Sequence, residues 1–267
     1  MTRESNHRAA NSASNANIPV ETSISQRQVG LARALSKLGY CSRSRAVELI
    51  RSGRVRINGA VRTNVETPVH LGKDRLEIDG QGVAETKKIY LMLNKPRGVV
   101  TTASDERGRA TVYDCLGKDF AWVAPVGRLD KASEGLLLLT NDSEWAAGIT
   151  TPGNHVDKVY HVQVARLVTA KDLESIRHGV ALKGGEFLRV KSAALLRAGD
   201  RNCWVEIILD EGRNRHIRRM FEALGVEVLR LIRVAIGALK LGDLAKGATR
   251  ELTAEERVLL FTKTSIV

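Results

Sequence analysis

The chain of 267 residues is 43% apolar, enough to build a sizeable core in one large domain or two unequal ones. Its 42 Lys and Arg outnumber 30 Asp and Glu, and the net charge of +12 favours a polyanionic partner, nucleic acid first, over a neutral protein surface. Apolar runs such as residues 135–139 stop far short of the ~20 residues that cross a bilayer, and no apolar stretch follows Met1, so neither membrane association nor export is expected.

Three cysteines, Cys41, Cys115 and Cys203, stand too far apart for a CxxC or zinc spacing, and an odd number suits a reducing compartment. They read as buried structural thiols in a cytoplasmic protein. The six histidines form no HExxH or HxxxH pattern, so no metal site is expected.

In chain order, residues 1–29 are rich in Asn, Ser and Ala, lack aromatic residues, and carry three Arg against two Glu. That is too little apolar content to offset the entropy of ordering, and a disordered tail is expected. From Gly30 to Gly80, ten Lys or Arg face five acids, marking a small basic module. "LARALSKLG" places Leu31, Ala34, Leu35 and Leu38 on one helical stripe that Gly39 ends. "SRSRAVELIRSG" predicts a second helix, with Ala46, Val47 and Ile50 facing one way, Arg43, Arg45 and Arg51 left for solvent or phosphate, and Gly53 at its end. In "RVRINGAVRT", Val55 and Ile57 alternate with Arg54 and Arg56, and Asn58-Gly59 predicts a hairpin, because a type I′ turn needs positive φ at both positions.

Residues 81–88 read as a linker, and residues 89–267 as a second domain opening with the strand pattern of "IYLMLNKPRGVVTT" and its Lys95-Pro96-Arg97-Gly98 turn. Strand-like runs follow at 122–129, 135–140, 158–165, 203–209 and 226–233, with a helical stretch at 169–178. "LTAEERVLLF" places Thr253 and Glu256 as a capping box before a helix whose Val258, Leu259 and Phe261 can pack. The pattern predicts an α+β protein: a small basic module, then a larger domain with a mixed or antiparallel sheet. No internal repeat, GxGxxG, GxSxG or phosphate-loop pattern appears.

The first module resembles the S4 RNA-binding domain in its helix, helix, "GRVRING" hairpin order. "GRLDKASEGLLLLTND", at 127–142, resembles the catalytic signature of the ribosomal RNA pseudouridine synthases, in the branch that joins an S4 domain to the catalytic domain. "LNKPRGVVTT" at 93–102, "KVYHVQV" at 158–164 and "EGRNRHIRRMFEALGVEVLRLIRVAIGALKLGDLAKGATREL" at 211–252 agree with it.

The resemblance implies that uracil is cut from C1′, turned and rejoined through C5, with no cofactor and no metal. It makes Asp130 the nucleophile, whether by attack on the ribose or by promoting elimination. One carboxylate suffices if it is ionised and held in place. A site that excludes water needs a cation to keep it ionised. The candidate is Arg218, which lies about 100° round the helix from Ile217 and so borders the apolar stripe of Ile217, Met220, Phe221 and Leu224. The resemblance places the ion-pairing arginine in the same "HIR" step.

Tyr160 alternates with Val162 and Val164, so on pattern alone it is a core tyrosine; the resemblance implies that it stacks on the target base. By the same resemblance Leu231 packs beneath the base, and Arg128 fills the stack that an extruded uridine leaves. Arg43, Arg45, Arg51, Arg54, Lys131, Arg215 and Arg219 are expected on RNA phosphates, where they would position the RNA without reading its sequence. His216 stands where many relatives carry Gln, and Lys131 where Arg is frequent.

The expected partner is a structured stem-loop of ribosomal RNA, free or in an assembly intermediate, with 23S favoured over 16S and the protein a monomer. Two other readings compete. One is a non-catalytic S4-type RNA-binding or ribosome-assembly protein, which would have no need of that carboxylate. The other is hydrolysis of a damaged base, which would release it.

Overall fold

The computed structural model describes residues 28–103, 105–117 and 122–261. The first module consists of β1 (Gln28–Gly30), α1 (Leu31–Lys37), α2 (Arg43–Arg51), β2 (Val55–Ile57), β3 (Ala60–Val61), β4 (Pro68–His70), β5 (Leu76–Ile78) and β6 (Gln81–Gly82). The expected tail lies outside the described residues up to position 27. Its last two positions belong to the module, because β1 pairs antiparallel with β4.

The two helices form where the apolar spacing predicts them. Ser42 caps α2 by accepting from the Arg45 N–H at 3.1 Å. Asn58 (φ +51°) and Gly59 (φ +81°) both adopt the left-handed conformation, as the β2–β3 hairpin requires. The module's core joins Leu31, Leu35, Ala46 and Ile50 to Val55 and Ile57. Val47 is only half-buried, and Leu49 takes the inward position instead.

The second domain comprises β7 (Tyr90–Lys95), β8 (Ala124–Val126), β9 (Glu134–Thr140), α3 (Ser143–Thr150), β10 (Lys158–Val164), α4 (Ala170–His178), β11 (Val180–Ala181), β12 (Phe187–Leu188), β13 (Ser192–Ala198), β14 (Cys203–Leu209), α5 (His216–Ala223), β15 (Val228–Ile236), β16 (Leu239–Lys240), β17 (Thr249–Glu251) and α6 (Ala254–Leu259). Its main sheet runs β13-β14-β10-β15-β9-β7-β17, with β8 on β9 and β16 on β15. The whole is the expected α+β arrangement, an S4-like module followed by a mixed, mostly antiparallel sheet.

The four-leucine run of β9 exists because both faces of the sheet are covered. Leu136 and Leu138 enter a core with Met92, Ile149 and Ile236, while Leu137 and Leu139 enter another with Leu91, Leu93 and Val112. Complete burial of each contributes roughly 1.5–3 kcal/mol. In the other half of the sheet, α5 sends Ile217, Met220 and Phe221 into a third core with Val162, Val205 and Leu231.

These halves meet at β9 and β15, which run parallel and register only at Ile232–Glu134 and Arg233–Gly135. The approach there is close. A Cβ on Gly135 would lie 2.3 Å from the Arg233 carbonyl oxygen, and the residue's φ of +101° also demands glycine. The β15 residues Leu231 and Arg233 and the Ser133 that precedes β9 line the cleft described below.

Several expectations differ in detail. The span 81–88 begins as strand β6, and the remainder is pinned rather than loose: buried Asn141 accepts from the Ile89 N–H at 2.9 Å and donates to the Lys87 carbonyl and the Thr86 hydroxyl. Only 124–126 of the run 122–129 is strand, because Gly127 turns the chain away. The Thr253–Glu256 capping box forms, but Val258, Leu259 and Phe261 are exposed and Leu260 is the buried residue, since α6 stops after six residues and presents its end to the core. Cys41 and Cys203 are buried free thiols, whereas Cys115 is half-buried. No helix among the described residues is long and apolar enough to cross a membrane.

Candidate active site

Gly127, with φ +76°, turns the chain out of β8 into the loop that carries Asp130. The "KPRGVVTT" segment clamps that loop from below. The Lys95 ammonium, wholly buried, donates to the carbonyls of Pro96 at 3.1 Å, Asp130 at 3.2 Å and Ser133 at 2.9 Å. The Gly98 N–H donates to the Lys131 carbonyl at 2.8 Å, and the Thr101 hydroxyl donates to the Leu129 carbonyl at 2.7 Å. Burial pushes the Lys95 pKa down to about 8, against the favourable charges of Cys115, Asp130 and Glu134. With its backbone bound from three sides, the loop has little freedom to move the carboxylate.

Asp130 is half-buried at the edge of a cleft of about 400 Å³. The opposite wall comes from the sheet: Tyr160 of β10, and Leu231 and Arg233 of β15. Tyr160 packs against two of the apolar cores at once and is half-buried, so it is a core residue that also lines the cleft. Leu231 is buried beneath it. Arg128 and Arg215 stand exposed at the cleft, together with Arg213. Five of the lining side chains, Arg128, Lys158, Arg213, Arg215 and Arg233, are cations, and Asp130 is the one carboxylate among them. Such a cleft concentrates polyanions around a single potential nucleophile.

Arg218 lies on α5 as the helical stripe predicts, but its hydrogen bonds go to the backbone. Its Nη2 donates to the Ala132 carbonyl at 3.0 Å and its Nη1 to the Val228 carbonyl at 3.2 Å. Burial, then the charge of Arg215, holds its guanidinium below the ordinary range, and the Asp130 carboxylate opposes that shift. Arg218 thus meets the Asp130 loop through its backbone at Ala132, where a direct ion pair with Asp130 was expected.

The other expected phosphate contacts divide. Arg43 and Arg51 extend from α2 into solvent, and Lys131 is exposed on the loop that carries Asp130. Arg45 is paired with Glu48 at 2.8 Å, and Arg54 with Asp79. Arg219 pairs with Glu186, which lies on the hairpin side of α5 rather than in the cleft. These three guanidiniums are engaged within the protein.

Four further residues of the site carry weak signals in the sequence. Lys95 reads as part of a turn, although a lysine ending the buried run "YLMLN" hints at an internal partner. Ser133, Lys158 and Arg233 lie within strand patterns and adjoining loops that say nothing of the cleft they line.

Residues 89–223 match the family described as RNA pseudouridylate synthase, and residues 29–76 match the S4 domain. The chain belongs to the RNA pseudouridylate synthase family, and it is an isomerase with an S4 RNA-binding module. It is 37% identical over 227 residues to ribosomal large subunit pseudouridine synthase B of Bacillus subtilis (strain 168), covering 85% of this chain and 93% of that protein. It is 38% identical to an uncharacterized RNA pseudouridine synthase of Aquifex aeolicus (strain VF5), over 88% of this chain and 94% of that one. A solved pseudouridylate synthase matches with a TM-score of 0.62 at 32% identity, covering 87% of this chain and 99% of its own.

Proposed function

We propose that this enzyme converts a uridine of ribosomal RNA, in the large subunit in preference to the small, into pseudouridine, with Asp130 as the nucleophile. The observation that carries this reading is the placement of Asp130 opposite Tyr160 and Leu231 in a cleft otherwise lined by cations. The name of the B. subtilis relative favours the large subunit.

In this reading Arg128, exposed and without a carboxylate partner among the described residues, enters the helical stack as the uridine swings out, offsetting part of a cost of a few kcal/mol. The extruded base lies on the Tyr160 ring above Leu231. Asp130 then engages the sugar while Arg218 fixes the loop through Ala132. Arg43 and Arg51 of the S4 module, with Lys131 and Arg215, hold backbone phosphates of a stem-loop. The protein acts as a cytoplasmic monomer.

Asp130→Asn tests the assignment directly. The variant should bind rRNA transcripts with near-normal affinity and form no pseudouridine, as read by mass spectrometry of digested RNA. Retained activity would remove Asp130 from the reaction, and release of free uracil by the native enzyme would favour hydrolysis instead. Arg218→Ala should slow turnover by at least ~10²-fold, the scale of losing one positioned charge.

A further inference from the structure

Arg233 is a buried cation with no counter-charge among the described residues. Its side chain is only 5% exposed, its Nε donates to the Leu136 carbonyl at 2.7 Å, and its Nη2 is buried without a partner. It forms no ion pair with any carboxylate among the described residues. The neighbouring Lys158 is also under-used, its ammonium reaching only the Ile149 carbonyl at 3.4 Å. Burial, and then the charge of Arg233, holds Lys158 below its ordinary range. The acids nearest to Lys158 are engaged elsewhere, Asp157 with Lys191 at 2.7 Å and Asp210 with His155 at 3.1 Å.

A desolvated, unpaired guanidinium is unfavourable unless something bound in the cleft neutralises it. Position identifies what that is. Arg233 lies directly across the β10–β15 ladder from Tyr160, so the two side chains leave the sheet on the same face, about 5 Å apart at Cβ. Lys158 is two residues before Tyr160 on β10 and shares that face. Both cations therefore adjoin the ring on which the base rests, rather than the sugar–phosphate at the rim.

We propose that Arg233, assisted by Lys158, is a catalytic residue that stabilises the uracil anion formed when the glycosidic bond breaks. This rests on the cleft reading above. The C1′–N1 bond breaks with its electron pair remaining on N1, and the charge spreads to the O2 and O4 oxygens, while the Asp130 carboxylate bonds to C1′. Arg233 donates to one of those oxygens. After the base turns, C5 attacks C1′ and expels the carboxylate; the C5 proton is then lost and N1 gains one, so atoms and charge balance. A donor preorganised where charge develops is the arrangement that lowers such a barrier most.

The test compares leaving groups. Large-subunit rRNA transcripts are made with uridine or with 5-fluorouridine, whose base anion is intrinsically more stable, and single-turnover C1′–N1 cleavage is measured. Arg233→Gln should be ~10²-fold slower on uridine, with a deficit at least several-fold smaller on 5-fluorouridine and with RNA affinity unchanged. Equal deficits on both RNAs, or none, overturn the proposal; equal deficits with weakened RNA binding would assign Arg233 to a phosphate. Should Arg233→Gln fail to fold, Lys158→Gln, at a half-buried position, undergoes the same comparison with the same deciding outcomes. Asp130→Asn run in parallel separates the two ideas, since activity there would defeat the cleft reading whatever Arg233 does.

Discussion

The Asp130 loop with its surroundings and the S4 module contain comparable kinds of residue and use them in opposite ways. Around Asp130 the cations are withdrawn from solvent: Lys95 buried beneath the loop, Arg218 half-buried on the loop backbone, Arg233 buried across the cleft. On α2 they are exposed, with Arg43 and Arg51 reaching into water. A buried cation fixes geometry and field, because low local dielectric strengthens what it bonds. An exposed one supplies screened, salt-dependent attraction. Chemistry and affinity are therefore separable by mutation.

The largest effect should come from below the loop. Lys95→Met leaves the carbonyls of Pro96, Asp130 and Ser133 without their shared donor. We expect a loss of about 2 kcal/mol in stability and a fall in turnover of ~10²-fold through misplacement of Asp130, with RNA affinity preserved. The pH dependence has a definite sign. The folded-state pKa of about 8 lies below the ordinary 10.5, so between these values the unfolded chain binds the additional proton. Native stability should accordingly rise relative to Lys95→Met as pH increases through that window, measured by denaturant unfolding. An unchanged gap would show that Lys95 does not titrate there.

What the sequence made legible follows the same division. The S4 module was readable because its signals are local: helical spacing, two terminal glycines and an Asn-Gly turn each act within a few residues. Asp130 was legible through resemblance to a family signature. The clamp was not, because Lys95 meets Asp130 across 35 positions of chain and the close contact of Gly135 with Arg233 spans two parallel strands. Nor could sequence distinguish Arg43 and Arg51 from Arg45 and Arg54, since pairing of Arg54 with Asp79 depends on how β2 and β5 align.

That last distinction gives the intermediate effect. Arg43→Ala with Arg51→Ala should weaken RNA binding several-fold and flatten the slope of log affinity against log salt by about 1.5, as two phosphate contacts are lost. Arg45→Ala with Arg54→Ala should change the slope less, because those charges already face Glu48 and Asp79. Pseudouridine formation at saturating RNA should remain unchanged in both. Equal slopes would mean that the intramolecular pairs open on binding.

The smallest effect concerns His216, where the cleft meets the first turn of α5. Both ring nitrogens are buried, with Glu211 3.7 Å away, and burial holds the imidazole below its ordinary pKa of 6.5 against the opposing pull of Glu211 and the Arg189 backbone. The folded state therefore resists protonation where the unfolded chain accepts it, and stability falls as pH drops below 6.5. Glutamine does not titrate. His216→Gln should remove part of the acid sensitivity and leave stability at pH 7.5 within about 1 kcal/mol, which unfolding at pH 5.5 and 7.5 measures. Persistence of the full acid loss would mean that other groups, not this buried ring, set it; its removal would show that a buried imidazole at the start of α5 tunes stability without touching the exposed charges of α2.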